Sequence, residues 1–285
     1  MRIKFNNVTH YYQKPKRKKV IEPAIKNIDL TFEEPGEFVM IVGETGAGKT
    51  TLLSHINGLL LPYEGTVEVD NFTLTPKKNK NPKLKNIRKR IGYVFQFPEY
   101  QLFEDTVLKD IIYGPINFGM TDLEATERAK KVASDLGISD LLDKSPFEIS
   151  GGQMRKSAIA GIIAYNPDVF LLDEPTRGLD PRGTVEMMKY FNSLREEGKT
   201  LIMITHDMDM VYRYATRVIV LQDSEIKFDG KKEDLFQGPF LEYGLSKPKI
   251  LTIIDEINDE AGFDLPYTIY NEEDLLKALK ENCHE

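Results

Sequence analysis

Hydrophobic and polar residues alternate over the first forty residues of the chain in a pattern that predicts short β-strands. The segments with this alternation are RIKFNNVTHYY, AIKNIDLTFEE and EFVMIVG. A loop at residues 43–50 then leads into a predicted helix. Its apolar residues recur at helical spacing: Leu52, Leu53, Ile56, Leu59 and Leu60. The chain is therefore expected to begin with strands that lead through one loop into one helix.

The middle of the chain changes from strands to helices and then alternates between them. Strand character returns in GTVEVDNFTL and RIGYVFQ, whereas residues 106–146 are predicted to be mostly helical. Two continuous apolar runs follow, DVFLLDE and TLIMITHD, and each precedes a helix, at about 182–196 and about 208–215. Apolar strands that alternate with helices predict an α/β fold with a parallel sheet covered on both faces. The segment RVIVLQDSEIKFDG is predicted to close this part as a hairpin.

After about Pro239 the pattern changes to two amphipathic helices. The first is predicted to carry Ile250, Ile253, Ile254 and Ile257 on one face, and the second Leu275, Leu276 and Leu279. Asn271 is the predicted N-cap of the second helix. Two helices cannot form a core alone. We therefore interpret residues 240–285 as a small C-terminal extension whose apolar faces bury against the main domain or a partner.

Composition and charge narrow the class of protein. The chain has 285 residues, 41% hydrophobic and 29% charged, and a net charge of −7. It has no apolar run near the roughly 18 residues of a membrane span and no secretory signal, so we expect residence in the cytosol. The single cysteine, Cys283, fits a reducing compartment. The charge does not favour nucleic acid, and the basic stretches 14–19 and 77–90 are expected to be solvated loops.

The sequence GETGAGKT at 43–50, here called the glycine-rich loop, follows an apolar strand and opens a helix. Glycines let backbone N–H groups close on phosphate oxygens, and a Lys and a Thr follow at fixed positions. Lys49 is predicted to reach the β- and γ-phosphates of a nucleotide, and the Thr50 hydroxyl to ligate Mg²⁺. The predicted nucleotide-binding residues here are Gly43, Glu44, Thr45, Gly46, Ala47, Gly48, Lys49, Thr50 and Thr51.

Four polar residues end apolar strands, where ligands bind in parallel sheets. Asp173 is predicted to hold the magnesium shell, and Glu174 to orient and deprotonate an attacking water. Gln96 is predicted to touch both Mg²⁺ and the water. His206 is predicted to donate a hydrogen bond to the γ-phosphate or the water. No partner set with metal-ligand spacing accompanies His206, which argues against zinc.

A second candidate phosphate turn, Ser150, Gly151, Gly152 and Gln153, precedes another helix; we call it the Ser150 turn. Alone it is a common turn, but the order of glycine-rich loop, Gln, SGGQ, Asp-Glu, GLD and His carries information. Over about residues 1–235 this order resembles the ATP-binding cassette (ABC) family. The resemblance makes the glycine-rich loop Walker A, Gln96 the Q-loop, Asp173 and Glu174 Walker B and the catalytic glutamate, Asp180 the D-loop and His206 the switch histidine.

The resemblance implies a P-loop NTPase of the ABC type, with a RecA-like core, an antiparallel β subdomain and a helical subdomain at about 97–165. It implies an ATP-binding domain at 1–239 and an extension at 240–285. Tyr12 is implied to stack on adenine, with Tyr11 the less favoured choice. In that family two cassettes pair head to tail, so Ser150, Gly151, Gly152, Gln153 and Asp180 would complete a partner's ATP site.

The segments FQFPEYQLFEDTVLKDIIYGPINFG and SGGQMRKSAIAG, with the extension, resemble the second ATPase subunit of energy-coupling factor transporters. The resemblance implies an ATPase with Mg²⁺, peripheral on the cytoplasmic face of the cell membrane, that drives uptake of vitamins or metal ions. Its implied partners are a paralogous ATPase or a second copy, a transmembrane coupling protein received near residues 96–103, and a substrate-binding membrane component. The alternatives are a conventional ABC importer, a soluble ABC protein on nucleic acid or ribosomes, and a scaffold without hydrolysis. A single cassette and the presence of both Glu174 and His206 disfavour the last two.

Overall fold

The structure is a computed structural model, and it describes residues 1–13, 21–77 and 84–282. Its strands are β1 (Ile3–His10), β2 (Ile25–Phe32), β3 (Phe38–Val42), β4 (Glu64–Val69), β5 (Phe72–Leu74), β6 (Ile91–Val94), β7 (Val169–Asp173), β8 (Thr200–Ile204), β9 (Arg217–Gln222) and β10 (Glu225–Lys231). Its α-helices are α1 (Lys49–Ile56), α2 (Leu84–Arg90), α3 (Val107–Asn117), α4 (Asp122–Asp135), α5 (Gly151–Ala164), α6 (Pro181–Glu196), α7 (Met208–Tyr214), α8 (Lys232–Gln237), α9 (Lys249–Ala261) and α10 (Glu272–Asn282). The α/β fold class predicted from the alternation of elements is confirmed.

The larger sheet has the order β10-β9-β3-β8-β7-β6, and every neighbouring pair is parallel except β9 with β10. Every residue of β3, β7 and β8 is buried, as expected for central parallel strands covered on both faces. Because these strands run the same way, their carboxyl ends meet at one edge. That edge carries Gly43 after β3, Asp173 at the end of β7, and the residues that follow β6 and β8.

The smaller sheet is antiparallel, in the order β2-β1-β4-β5. Its inward-facing residues, among them Phe5 and Ile28, share a core with Leu52 of α1 and with Val39 and Leu171 of the larger sheet. A sheet and one helix therefore cover one face of the parallel sheet. The other face packs against helices in a second core that joins α3, α4, α5 and α6 to the sheet.

The C-terminal extension packs against the main domain. Leu251, Ile254 and Leu275 are buried in the same core as Tyr212 of α7. The Tyr212 hydroxyl also donates to the Tyr267 carbonyl oxygen at 2.6 Å. Asn271 caps α10 as predicted, since its side-chain oxygen accepts from the Asp274 backbone N–H at 2.9 Å.

The prediction is wrong for two residues that were placed on the buried apolar faces of the extension helices. Ile253 is 44% exposed and Leu276 is 58% exposed. On α9 the two fully buried residues are Ile254, as predicted, and Leu251, which the prediction had not placed on the apolar face. A run of adjacent apolar residues leaves the buried face ambiguous, and packing of the extension helices against the main core resolves it.

Two further predictions near α1 and α2 need correction. The helix that begins at Lys49 ends at Ile56, so Leu59 and Leu60 lie beyond it; Gly58, with φ +68°, turns the chain there. Residues 84–90 of the basic stretch form helix α2 rather than a loop, with Ile87 buried. The basic stretch 14–19, residues 78–83 and Cys283 lie outside the described residues. Within the described residues, no helix is both long and apolar enough to cross a membrane.

Candidate nucleotide site

The glycine-rich loop makes two close backbone approaches that require glycine. A Cβ at Gly43, where φ is +135°, would lie 2.0 Å from the Leu221 carbonyl oxygen. A Cβ at Gly48, where φ is +102°, would lie 2.2 Å from the Ala24 carbonyl oxygen. Gly48 also forms the N-cap of α1, so the loop delivers the chain directly into a helix whose first N–H groups are free for an anion.

Lys49 folds back over the glycine-rich loop. Its Nζ donates to the carbonyl oxygens of Gly43 at 2.6 Å and Glu44 at 2.7 Å. Burial lowers the pKa of Lys49, and the nearby carboxylates of Glu174 and Asp173 act in the opposite direction. The ammonium group therefore lies on the loop, within the field of both carboxylates, where it can contact phosphate oxygens.

Thr50 and Asp173, which are 123 residues apart in sequence, meet at this edge. The Thr50 hydroxyl donates to Asp173 Oδ2 at 2.8 Å, and Asp173 is 3% exposed. Burial raises the pKa of Asp173, and the hydrogen bond from Thr50 lowers it in part. A buried carboxylate beside a hydroxyl offers the oxygen donors that Mg²⁺ prefers, and a bound cation would offset the cost of burial. The residues present therefore fit a magnesium ion.

Glu174 stands at the centre of a polar cluster beside Asp173. Its carboxylate accepts from Gln96 Nε2 at 3.2 Å and from Arg177 at 3.2 Å, and it lies 3.5 Å from His206 Nδ1. Its backbone has φ +47°, in the left-handed region, which a non-glycine residue adopts at an energetic cost. This conformation turns the side chain of Glu174 away from the course of β7, toward Gln96 and His206.

The charge state of Glu174 follows from its neighbours. Burial raises its pKa, but the hydrogen bond from Gln96 and the charges of His206 and Arg177 together outweigh burial and lower it. The carboxylate is therefore ionised at neutral pH, as a proton acceptor must be. His206 is 78% exposed at its side chain and lines, with Glu174, a cleft of about 590 Å³.

Tyr12 lies beside the helix that follows the glycine-rich loop. Its hydroxyl is 2.9 Å from Thr51 Oγ1, and its side chain is 67% exposed, which leaves ring surface available for stacking. Tyr11 packs its ring against Tyr63 at a centroid distance of 5.1 Å. Of the two tyrosines, Tyr12 contacts the helix that carries Lys49 and Thr50.

His55, on the same helix, gives a prediction about pH. It is fully buried, its Nδ1 donates to the Thr51 carbonyl at 2.7 Å, and burial lowers its pKa to about 4. The unfolded chain protonates this group near its ordinary pKa of about 6.5. Between these two pH values the unfolded state binds more protons than the folded state. The contribution of His55 to the free energy of unfolding should therefore fall by about 3 kcal/mol as the pH drops from 6.5 to 4.

The measurement is the unfolding free energy of wild type and His55→Phe at pH 7 and at pH 4.5. The variant keeps a buried ring but cannot protonate. It should lose less stability than wild type on acidification, whatever its stability at pH 7. An equal loss in both proteins would contradict the prediction.

The Ser150 turn lies at a different cleft. Ser150 and Gln153 form a capping box at the start of α5, in which the Ser150 N–H donates to Gln153 Oε1 at 2.9 Å and the Gln153 N–H donates to Ser150 Oγ at 3.4 Å. The turn shares a cleft of about 280 Å³ with Asp180, whose Oδ1 accepts from the Gly183 N–H at 2.6 Å. Within the described residues, no hydrogen bond joins this turn to the glycine-rich loop.

The structure thus divides the predicted site residues into two groups. One group meets at the carboxyl edge of the large sheet: Lys49, Thr50, Gln96, Asp173, Glu174 and His206. The other lines the separate cleft: Ser150, Gly152, Gln153 and Asp180, with Gly151 exposed beside them. Residues of the two groups therefore line different clefts of the same chain.

Arg155 links these regions, and the sequence analysis missed it. Its Nη2 donates to the Gln96 carbonyl at 3.0 Å and to the Glu99 carboxylate at 3.1 Å, and its Nη1 donates to the Arg177 carbonyl. Arg155 is 4% exposed. The available signal was a charged residue on a helix whose following turn, from Ala158 to Ala160, is apolar.

The chain resembles known proteins over its whole length. The sequence profile of the ABC transporter family matches residues 25–177. The energy-coupling factor transporter ATP-binding protein EcfA2 of Latilactobacillus sakei is 44% identical, over 99% of this chain and 96% of that protein. The EcfA2 protein of Clostridium perfringens is 42% identical, over 99% of this chain and 100% of that protein.

Solved structures show the same fold. CbiO1 from Clostridium perfringens, described as part of the ABC transporter complex cbiONQ, matches with a TM-score of 0.72 and 31% identity, over 90% of this chain and 94% of that chain. The dimeric bacterial ABC transporter cassette MJ0796 matches with a TM-score of 0.70 and 35% identity, over 80% of this chain and 98% of that chain.

Proposed function

We propose that this chain, which belongs to the ABC transporter family and within it to the energy-coupling factor transporter ATP-binding proteins, binds and hydrolyses ATP in a site completed by a second ATPase subunit. The observation that carries the proposal is the cluster at one sheet edge. There the Thr50 hydroxyl meets the Asp173 carboxylate, and Glu174 meets Gln96 and His206.

The geometry supports a role for each of these residues. The N–H groups of the glycine-rich loop and the ammonium of Lys49 bind the phosphates. Thr50, Asp173 and Gln96 are the residues that would hold Mg²⁺, and the bound ion would supply positive charge that neutralises phosphate oxygens. Glu174 accepts the proton of the attacking water, since its carboxylate is ionised and lies among hydrogen-bond donors. His206 lies within reach of the same carboxylate and donates to the γ-phosphate.

The two groups of site residues support a head-to-tail pairing of subunits. The Ser150 turn begins a 14-residue helix, and Ser150 and Gly151 are exposed. The N–H groups of Gly151 and Gly152, which the capping box does not use, and the helix dipole favour a phosphate. It lies at a different cleft from the glycine-rich loop, and the two loops would serve different nucleotides. A second subunit would present its own glycine-rich loop to the Ser150 turn of this one.

The Ser150 turn gives a prediction with a matched control. Ser150→Ala should lower ATP turnover of the assembled ATPase by about 10- to 100-fold, because a hydrogen bond to a charged phosphate is lost. ATP binding by the isolated chain, through its own Lys49, should be unchanged. Turnover by the complex and equilibrium ATP binding by the isolated chain are the two measurements.

The control is Thr121→Ala. Thr121 and Glu124 form a second capping box, at the start of α4, with the same local hydrogen bonds. Both variants lose about 1 kcal/mol of capping stability, but only Ser150→Ala should lose turnover. Equal turnover losses in the two variants would show that Ser150 acts only as a helix cap.

The chain acts as the ATPase of an energy-coupling factor importer, and we place it on the cytoplasmic face of the membrane beside a second ATPase and membrane components. Exposed aromatic residues support a docking groove near residues 96–103: Phe97 is 43%, Tyr100 84% and Phe103 57% exposed. A transmembrane coupling protein would occupy this groove. Glu99, in the same segment, pairs with the buried Arg155, so the groove is joined to the Gln96 backbone.

Copurification from membranes tests this function. Recovery of a second ATPase together with a membrane coupling protein and a substrate-binding membrane protein is the expected result. Recovery with ribosomes or DNA instead would contradict it. The same preparation decides whether the second ATPase is a paralogue or another copy of this chain.

A further inference from the structure

We infer that His10 and His55 hold the ring of Tyr12 in place, and that His10 is thereby a positioning residue for the base of the bound nucleotide. The inference rests on the proposed function, because it takes Tyr12 as the residue that stacks on the base. It adds two residues, neither of which touches ATP, to the nucleotide site.

Among the described residues, Tyr12 has few contacts that could hold its ring. It follows the end of β1 by two residues and is 67% exposed. Its hydroxyl is held by Thr51 Oγ1 at 2.9 Å, which fixes the tip of the side chain. A single hydrogen bond at the tip leaves the plane of the ring free to rotate, so stacking on a flat base requires a second contact.

His10 supplies that second contact. Its ring lies 5.2 Å from the ring of Tyr12, centroid to centroid, with an interplanar angle of 79°. This edge-to-face arrangement is a favoured geometry for aromatic pairs and fixes the plane of one ring relative to the other. His10 is itself 9% exposed, and its Nδ1 donates to the Leu61 carbonyl oxygen at 3.1 Å.

His55 supports His10 from inside the protein. Their rings are 4.8 Å apart at 78°, and His55 is fully buried on α1. His55 Nδ1 donates to the Thr51 carbonyl, while the Thr51 hydroxyl holds Tyr12. Thr51 therefore fixes both ends of a three-ring array, and it follows Lys49 and Thr50 on the same helix. The base and the phosphates are thus positioned from one element.

Neither imidazole is used elsewhere in the proposed mechanism. Burial lowers the pKa of His10 and of His55, so both rings are neutral near pH 7 and neither adds charge to the site. Within the described residues, His55 Nε2 is buried without a hydrogen-bond partner. A buried ring with an unpartnered nitrogen is costly if it serves only as core packing. In the array, the His55 ring packs against His10 and holds it in position.

The test compares two ligands that differ in the base. ATP and inorganic tripolyphosphate are titrated into the isolated full-length chain, as wild type and as His10→Gln and His10→Phe. Gln keeps a donor for the Leu61 carbonyl but has no ring, whereas Phe keeps the ring without the donor. His10→Gln should weaken ATP binding by about 2- to 10-fold and leave tripolyphosphate binding unchanged. His10→Phe should bind both ligands as wild type does.

Further variants test whether His10 acts through the ring of Tyr12. His10→Gln combined with Tyr12→Ala should bind ATP no more weakly than Tyr12→Ala alone, because the ring that His10 positions is gone. In turnover assays His10→Gln should raise KM for ATP without changing kcat. Tyr11→Ala, which removes the neighbouring ring, should leave the ratio of ATP to tripolyphosphate affinity unchanged. His10→Leu serves as a second ring-deleting variant if His10→Gln does not fold.

Several results would overturn the inference. If His10→Gln weakened the binding of ATP and of tripolyphosphate equally, His10 would have only a structural role. A loss in His10→Phe as large as in His10→Gln would assign the effect to the hydrogen bond. A loss of ATP affinity without a loss of tripolyphosphate affinity in Tyr11→Ala, but not in Tyr12→Ala, would show that the base stacks on Tyr11. Failure of the wild-type chain to bind either ligand would instead contradict the proposed function.

Discussion

Replacement of Glu174 by Gln is expected to lower ATP turnover by about 10²- to 10⁴-fold, the usual contribution of a general base. The substitution keeps the size of the side chain and removes the ionised oxygen that would accept a proton from the water. ATP binding should persist, because Lys49, Thr50 and Asp173 are unchanged. If hydrolysis separates the two subunits, as the proposed function implies, the variant should accumulate as an ATP-bound pair.

Turnover and subunit association, the latter by size-exclusion chromatography with and without ATP, are the measurements. The control is Glu225→Gln. Glu225 is also a carboxylate with a pKa lowered by cationic neighbours, Lys227 and Lys26, but it lies on β10, away from the site. Turnover of the control should match wild type. Unchanged turnover in Glu174→Gln would remove Glu174 as the base.

Replacement of Arg155 by Met should destabilise the fold by about 3 kcal/mol, the low end of the cost of removing one partner from a buried ion pair, because the Glu99 side chain is 19% exposed. Met has a similar length and is apolar, so the loss does not come from a large cavity. It leaves the Glu99 carboxylate and the carbonyls of Gln96 and Arg177 without their shared donor. Because Gln96 and Arg177 both contact Glu174, turnover should fall as well.

Urea unfolding and ATP turnover measure the two effects. The control is Arg182→Met on α6, where Arg182 is 89% exposed and pairs with Glu186 at 2.9 Å. Loss of that exposed pair should change stability by less than about 1 kcal/mol. The double variant Arg155→Met with Glu99→Met should recover part of the lost stability, since no unpaired charge remains. Similar small changes in Arg155→Met and Arg182→Met would contradict the prediction.

The residues that could be identified from the sequence share one property: local spacing specifies their chemistry. The glycine-rich loop between an apolar strand and a helix leaves few alternatives, because only glycine permits its backbone to approach Leu221 and Ala24. Asp173, Glu174 and His206 each follow a continuous apolar run. In a parallel sheet such runs end at the same edge, so their proximity could be expected without coordinates.

The errors lie where the buried side of a segment depends on what packs against it. Ile253 and Leu276 are apolar like their buried neighbours, and only the packing of the two helices against the main core decides which residues are buried. Residues 84–90 have a basic, polar composition typical of a loop, yet they form a helix whose Ile87 side chain is buried. In each case the tertiary contacts, which the sequence pattern does not contain, decide which side of the segment is buried.

The sequence by itself determined the α/β fold, the order of its motifs and the identity of the residues that meet at the sheet edge. Periodicity and spacing are local properties, so they can be recognised in the sequence alone. Only the tertiary structure decided that Arg155 connects Gln96, Glu99 and Arg177, and that His10, His55 and Tyr12 form one array. These contacts join segments tens of residues apart, through side chains whose burial and ring orientation arise only when the sheets and helices pack together.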